Sequence, residues 1–162
     1  MSSTFSGCYL LKELNLSHWE VNKVTSMNSM FSSDYALVSI NLTNWNTIAL
    51  TSMSSMFSDC HSLETITNIE NLNIANVTNL NSVFGYCYNL KSLDLEQWNT
   101  SKVTSLSSTF NYCRSLITLK ISLWDVSKVT TLSSTFGYCH NLKELDLHNW
   151  STGNLTSLYG TF

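Results

Sequence analysis

Proline is absent from this sequence, charged residues are scarce, and no long apolar run occurs. Proline has no backbone N–H, so its absence favours a chain in which every N–H serves a regular hydrogen-bond ladder. Charged residues make up only 12%, about half the usual share, and the net charge is −3. A nucleic-acid-binding protein normally shows a basic face, so we expect no nucleic-acid partner. No apolar stretch approaches the roughly 18–20 residues that span a bilayer, so we expect no membrane insertion.

What the sequence does contain is an internal repeat, marked most clearly by a column of phenylalanines. Its members recur at a constant interval, except that the interval between Phe57 and Phe84 is one residue longer than the others. Several other columns keep the same spacing, which predicts six stacked units of about 26 residues. The phenylalanine column comprises Phe5, Phe31, Phe57, Phe84, Phe110, Phe136 and Phe162.

Each unit combines two apolar patterns of different period. Leu93 and Leu95 alternate with polar residues, which predicts a short strand whose leucines point inward. Val103, Leu106 and Phe110 then recur at steps of three and four, which predicts one face of a short helix. Such a unit cannot bury its apolar face alone. The sequence therefore predicts an α/β repeat solenoid, with a parallel sheet on one face and short helices on the other.

The third unit departs from this pattern. It reads Ile66-Thr67-Asn68-Ile69 and contains one additional residue. Leu72 stands in it where the other units carry tryptophan. An inserted residue in an otherwise regular stack predicts a local bulge between Thr67 and Leu72.

Two further columns have both a structural and a functional interpretation. The tryptophans predict a core ladder in which each indole N–H finds a carbonyl, and an aromatic platform for sugars is the alternative. Cysteines one repeat apart form a line, which predicts small buried apolar side chains; disulfides between successive turns are the alternative. Asp34 replaces the cysteine in one unit. The columns are Trp19, Trp45, Trp98, Trp124 and Trp150, and Cys8, Cys60, Cys87, Cys113 and Cys139.

The sequence contains no recognisable catalytic or cofactor-binding motif. A nucleophile motif, a phosphate loop, a dinucleotide fingerprint and a paired-carboxylate constellation are all missing. His61 and His140 share a column, but three repeats at about 4.8 Å per strand place them at least about 14 Å apart. They cannot share a metal ion. We therefore expect no enzymatic activity, no cofactor and no metal site.

The residues between the inward leucines predict a polar outer face of the sheet. Six strands about 4.8 Å apart give a face roughly 25–30 Å long, which suits a protein interface of around 800 Å² per partner. Asn, Asp and Lys alternate in its central column, which favours a binding face over a plain solvated one. The candidate partner-binding residues are Glu13, Asn15, Ser17, Ser39, Asn41, Thr43, Ser92, Asp94, Glu96, Thr118, Lys120, Ser122, Glu144, Asp146 and His148.

Both ends of the chain continue the repeat. Met1 occupies the same column as Met27 and Leu106, and the last residue is the Phe162 anchor. Repeat arrays need atypical capping units with a polar outer side. We therefore expect residues 1–162 to form a single repeat domain that is a fragment lacking caps, or one that self-associates end to end through exposed core.

Two motifs carry a family resemblance. The pattern Leu90-x-x-Leu93-x-Leu95-x-x-Trp98 resembles the leucine-rich-repeat signature, with tryptophan where that signature has asparagine. The longer pattern, in which Phe, Cys, the leucine triplet, Trp and Val-Thr recur together, resembles the BspA-like leucine-rich-repeat surface proteins. This resemblance covers essentially the whole chain.

The resemblance implies a bacterial or microbial protein that is on the cell surface or secreted. Residues 1–7 lack the charged and apolar regions of a signal peptide. The family resemblance further implies a non-enzymatic module that binds proteins. The expected role is adhesion to host proteins, matrix proteins or other cells. A structural spacer or a self-associating repeat element is the alternative.

Overall fold

The computed structural model describes all residues, 1–162, and contains short parallel strands from successive repeats. The strands form one sheet of order β1-β2-β3 and a second of order β4-β5. The register pairs Leu14 with Ile40, Ile40 with Ile66, and Leu93 with Leu119, so equivalent residues of neighbouring repeats lie side by side. The predicted parallel sheet is confirmed. The strands are β1 (Glu13–Asn15), β2 (Ser39–Asn41), β3 (Thr65–Thr67), β4 (Ser92–Asp94) and β5 (Thr118–Lys120).

The inserted residue lies where the sheet is interrupted. A single 3-10 turn, Ile69–Asn71, separates β3 from β4, and it is preceded by Asn68 in the left-handed conformation with φ 62°. Leu72 is 4% exposed and fills the place of tryptophan in this repeat. The expected bulge is thus a 3-10 turn. It divides the sheet in two, because β3 and β4 are not paired.

The prediction of a short helix in each repeat is wrong, because the only helical element is the 3-10 turn Ile69–Asn71. The backbone N–H groups of Leu106, Ser108 and Phe110 donate instead to carbonyls of the next repeat along the chain. An α-helix would use these same groups for bonds within its own turn. The structure also contains no helix with the length and hydrophobicity that a membrane crossing requires.

Consecutive β-turns replace the helix. Thr109 donates its N–H to the Leu106 carbonyl, and Ser108 between them has φ 57°. A positive φ at the third turn position defines a type II turn and is incompatible with a right-handed helix. Serine, threonine and asparagine fill the segment, and their side chains compete with helical hydrogen bonding. The steps of three and four therefore reflect inward positions of a turn series.

The phenylalanine column forms a continuous stack through the core. Neighbouring rings lie 5.3–5.8 Å apart, and their planes are inclined by at most 17°. Phe31, Phe57, Phe84 and Phe110 are completely buried. Burying a side chain of this size contributes roughly 1.5–3 kcal/mol, so this column is a main source of cohesion between repeats.

The tryptophans form a second ladder in the core. Trp98, Trp124 and Trp150 stack at centroid distances of 6.1 and 6.4 Å. The indole N–H of Trp124 donates to the Leu95 carbonyl of the preceding repeat at 2.8 Å, and Trp45, Trp98 and Trp150 make equivalent bonds. The structural interpretation is therefore confirmed for these four, whereas Trp19 is 38% exposed.

The cysteines make a third inter-repeat contact. The thiols of Cys60, Cys87, Cys113 and Cys139 each donate to the phenylalanine carbonyl of the preceding repeat, at 3.0–3.1 Å. All five cysteines are free. Burial raises the pKa of the Cys87 and Cys113 thiols well above its usual value, so these thiols stay protonated and act as hydrogen-bond donors.

Asp34 occupies the cysteine column and is fully buried. Its Oδ1 accepts the backbone N–H of Cys8 at 2.8 Å, whereas its Oδ2 has no hydrogen-bond partner. An ionised carboxylate has no hydrogen to donate, so it cannot reproduce the bond that a thiol makes at this position. Burial raises the pKa of Asp34 to about 6, against a smaller lowering by the backbone N–H groups of Cys8 and Gly7.

Serines with a positive φ allow an experiment that distinguishes the turn series from a helix. We expect Ser108→Gly to be more stable than Ser108→Ala by about 1 kcal/mol, since glycine adopts a positive φ without steric cost. In a helix the order would be reversed by a similar amount, because alanine is the better helix former. Urea unfolding measures the difference. Greater stability of Ser108→Ala, with the far-ultraviolet circular dichroism of a helical protein, would contradict this fold.

The buried carboxyl predicts a pH-dependent stability. A carboxyl whose folded-state pKa is raised from 3.8 to about 6 stabilises the fold fully below pH 3.8 and loses that contribution as the pH rises through 6. The difference amounts to at most about 3 kcal/mol. Asp34→Asn keeps the Oδ1 acceptor and does not titrate.

Urea unfolding of the wild type and of Asp34→Asn, compared between pH 4 and 7.5, measures this contribution. The wild type should lose stability relative to the variant across this range, while all other carboxyls contribute equally to both curves. Two parallel curves would refute the assignment.

Candidate functional site

The predicted binding residues lie on the outer face of the sheets, and none of them is buried. Those within β1, β2, β4 and β5 are exposed, while Ser17, Thr43, Glu96 and Ser122 follow the strands and are half-buried. Glu144, Asp146 and His148 are exposed but lie outside any strand. The structure thus places these residues on two short sheets, where the sequence predicted one continuous face.

The central column of this face has a structural role that the sequence did not reveal. Asn15, Asn41, Asp94 and Asp146 each use Oδ1 to accept the backbone N–H of the residue two positions later, at 2.9–3.4 Å. These bonds form Asx turns at the point where the chain leaves the strand position. The turns explain why Asn and Asp recur in this column, with Thr67 and Lys120 as the exceptions.

Charged side chains on the face pair with one another. Lys120 donates to Oδ2 of Asp94 at 2.8 Å, and this bond, together with the Glu96 N–H, lowers the pKa of Asp94. His148 Nδ1 lies 2.7 Å from Asp146 Oδ1, which lowers the pKa of Asp146. Exposed pairs of this kind contribute only about 0–1 kcal/mol, so a partner can replace them.

A shallow depression lies on the outer face of β1, β2 and β3. Glu13, Asn15, Ser39, Asn41 and Thr67 supply its polar lining. Backbone atoms around Leu14 and Ile40 form its floor, because these two side chains point inward from the strand centres. The depression is the concave feature of the predicted face.

Two rows of exposed or half-buried aromatic side chains were missed by the sequence reasoning. The first row stacks Tyr9, Tyr35, His61 and Tyr88 at centroid distances of 4.6–5.0 Å. The second stacks Tyr86, Tyr112 and Tyr138 at 4.9 and 4.1 Å. The signal was present in the repeat, since the first row lies four residues and the second two residues after the phenylalanine anchor.

Arg114 ends the first row and lies beside the second. Its guanidinium carbon is 4.9 Å from the centre of the Tyr88 ring and 5.1 Å from that of Tyr112. Such cation–π contacts contribute about 0.5–1 kcal/mol at exposed sites and favour this position of the guanidinium. No carboxylate lies within ion-pair distance of it. His140 follows in the same column and meets the edge of Tyr138 at 5.8 Å.

The chemistry of this arrangement is set by its polar and aromatic side chains. No three His, Cys, Asp or Glu side chains are placed to hold a metal ion. The buried thiols have raised pKa values, with burial as the main cause, and thus lack the thiolate character of a nucleophile. The chemistry available on the surface consists of hydrogen bonds, ion pairs and aromatic contacts.

Two solved structures share the fold. A leucine-rich cell surface protein from Faecalibacterium prausnitzii is 22% identical, with a TM-score of 0.56 over 87% of this chain. A leucine-rich-repeat protein from Eubacterium ventriosum is 15% identical, with a TM-score of 0.51 over 91% of this chain. This chain spans only 32% and 43% of their respective lengths. The fold is therefore leucine-rich-repeat-like.

No curated protein is detectably similar in sequence. One family model matches the chain in two overlapping stretches, residues 1–93 and 82–162, which together include every residue. The description of that family is "Mycoplasma protein of unknown function, DUF285". The chain therefore belongs to the DUF285 family.

Proposed function

We propose that this chain is a non-enzymatic protein-binding module that works at a cell surface through the polar outer face of its sheets. The observation that carries the proposal is the row of exposed, varied polar side chains around the depression on β1, β2 and β3. The depression and its rim present backbone and side-chain hydrogen-bonding groups together, as interfaces of moderate polarity do.

The proposal includes a continuous solenoid of six units and a surface location. The support for the solenoid is the inter-repeat hydrogen bonding, which recurs through the chain from Met1 to Thr161. The support for the location is the BspA-like resemblance together with the shared fold of a protein described as a cell surface protein. Adhesion to a host or matrix protein is the role that this resemblance favours.

We assign partner contact to the side chains that are not used in the Asx turns. Asn15, Asn41, Asp94 and Asp146 already accept turn hydrogen bonds through Oδ1 and offer only their second polar atom. The column two positions before them makes no such bond. Its members Glu13, Ser39, Ser92 and Thr118 are exposed and, with Lys120 of the central column, supply the variable part of the face.

A structural spacer or self-associating element is the second candidate. The observation that favours it is the pairing of charges within the face, Asp94 with Lys120 and Asp146 with His148. When charged side chains of a face pair with one another, no partner is needed to neutralise them. Such a protein would bind no foreign ligand and would show association only with itself.

A charge-neutral triple variant tests the face. Asp94→Asn, Lys120→Gln and Asp146→Asn remove the charges while keeping the Oδ1 acceptors, so the Asx turns and the melting temperature should be preserved. Affinity for a bound matrix or host-cell protein should fall by at least about tenfold, which is roughly 1.4 kcal/mol. Solid-phase binding to a panel of purified matrix proteins measures it.

A matched control changes the same charges elsewhere: Glu20→Gln, Asp125→Asn and Lys128→Gln, all of them exposed and outside the sheet face. This control should bind as the wild type does. Equal binding by both triple variants would contradict the assigned face. Absence of binding to the whole panel, with concentration-dependent sedimentation, would favour the self-associating element.

A further inference from the structure

The guanidinium of Arg114 forms no ion pair within the chain. Arg114 is the sole arginine of the chain and is exposed, and its guanidinium carbon lies against the Tyr88 and Tyr112 rings. By contrast, Lys91 and Lys120 are paired with Glu64 and Asp94. A planar guanidinium with free N–H groups matches a carboxylate bidentately. Contact with the two rings restricts the side chain before a ligand binds, which lowers the entropic cost of binding.

The aromatic rows beside it present ring edges to the outside. Tyr86, Tyr112 and Tyr138 stack at 4.9 and 4.1 Å with their planes inclined by no more than 15°. Both faces of Tyr112 are therefore covered, and Tyr86 and Tyr138 each have one face covered by Tyr112. Ring edges carry the positive part of the aromatic quadrupole, and they attract anions. A sugar ring or a nucleic-acid base stacks on an exposed ring face, and this row offers such a face only at its two ends.

Two positive side chains near the rows form no ion pair. Residues 86–91, 112–117 and 138–143 are equivalent segments of three successive repeats, and they contain no Asp or Glu. They carry Lys91, which is paired with Glu64, and Arg114 and Lys143, which form no ion pair, in a chain whose net charge is −3. Unpaired positive side chains on an acidic protein indicate a surface complementary to an anionic partner.

We propose that the surface formed by Tyr86, Tyr88, Tyr112, Arg114, Tyr138 and His140 binds an acidic segment of a partner protein. Arg114 takes a carboxylate in the plane of its guanidinium. The tyrosine edges and hydroxyls line the path of neighbouring acidic side chains. This surface is separate from the polar face of the sheets, and its residues come from the turn series that precedes the strands.

A fluorescein-labelled deca-glutamate peptide tests the proposal by fluorescence anisotropy with the full 162-residue chain. We expect saturable binding that weakens as sodium chloride is added, because exposed charge contacts are screened by salt. Arg114→Gln should reduce the affinity by roughly tenfold or more, the loss expected for a charge-assisted contact. Arg114→Lys should also reduce it, because an ammonium group lacks the planar fork.

Lys23→Gln is the matched control, since Lys23 is exposed and forms no ion pair. It should bind the peptide as the wild type does. Equal loss in Lys23→Gln and Arg114→Gln, or no loss in Arg114→Gln, would overturn the proposal. Loss in the sheet-face triple variant would also overturn it, because the peptide would then lie on the other surface.

Heparin and single-stranded oligo-deoxyadenylate, labelled in the same way, separate the classes of anion. Weaker binding of both than of deca-glutamate supports an acidic protein segment. Arg114-dependent binding of either polymer without binding of deca-glutamate would overturn the proposal in favour of that polymer. The peptide assay uses no matrix protein, so its result is independent of the function proposed for the sheet face.

Discussion

The structure depends on one hydrogen-bonding arrangement. In it, backbone N–H groups of the turn series donate to carbonyls of the next repeat rather than to carbonyls of their own repeat. In the turn series alternate residues donate to a carbonyl of the following repeat, and the residues between them close β-turns within their own repeat. Neighbouring repeats are therefore tied together by backbone bonds of the turns, and within each of the two sheets by backbone bonds of the strands as well. The absence of proline follows, because a residue without an N–H would break one of these bonds.

The core columns exploit the spacing that this bonding imposes. Phenylalanine rings stack 5.3–5.8 Å apart, and the tryptophan and cysteine donors reach back to carbonyls of the preceding repeat. Three different side chains thus use the same inter-repeat distance. Asp34 is the informative exception: it fills the cysteine position with a group that donates a hydrogen only when protonated, and burial raises its pKa to about 6.

Two surfaces result from the same stacking, and their chemistry differs. On the sheet face the side chains alternate between turn-forming Asn or Asp and free polar groups, and their charges are paired with one another. On the aromatic rows identical columns place like groups on top of each other, which covers ring faces and leaves Arg114 unpaired. Repetition therefore creates a polar face on one surface and stacked aromatic rows on another.

The sequence by itself determined the period, the inward columns, the parallel register and the line of cysteines, because each depends only on spacing along the chain. Tertiary structure alone decided the rest. Leu106 and Phe110 show a helical spacing, but their N–H groups bond to the next repeat, which no local pattern reveals. Tyr88 and Arg114 belong to successive repeats and meet only because one repeat stacks on another. Contacts between repeats arise from stacking geometry, and that geometry is set by the backbone bonds joining the repeats.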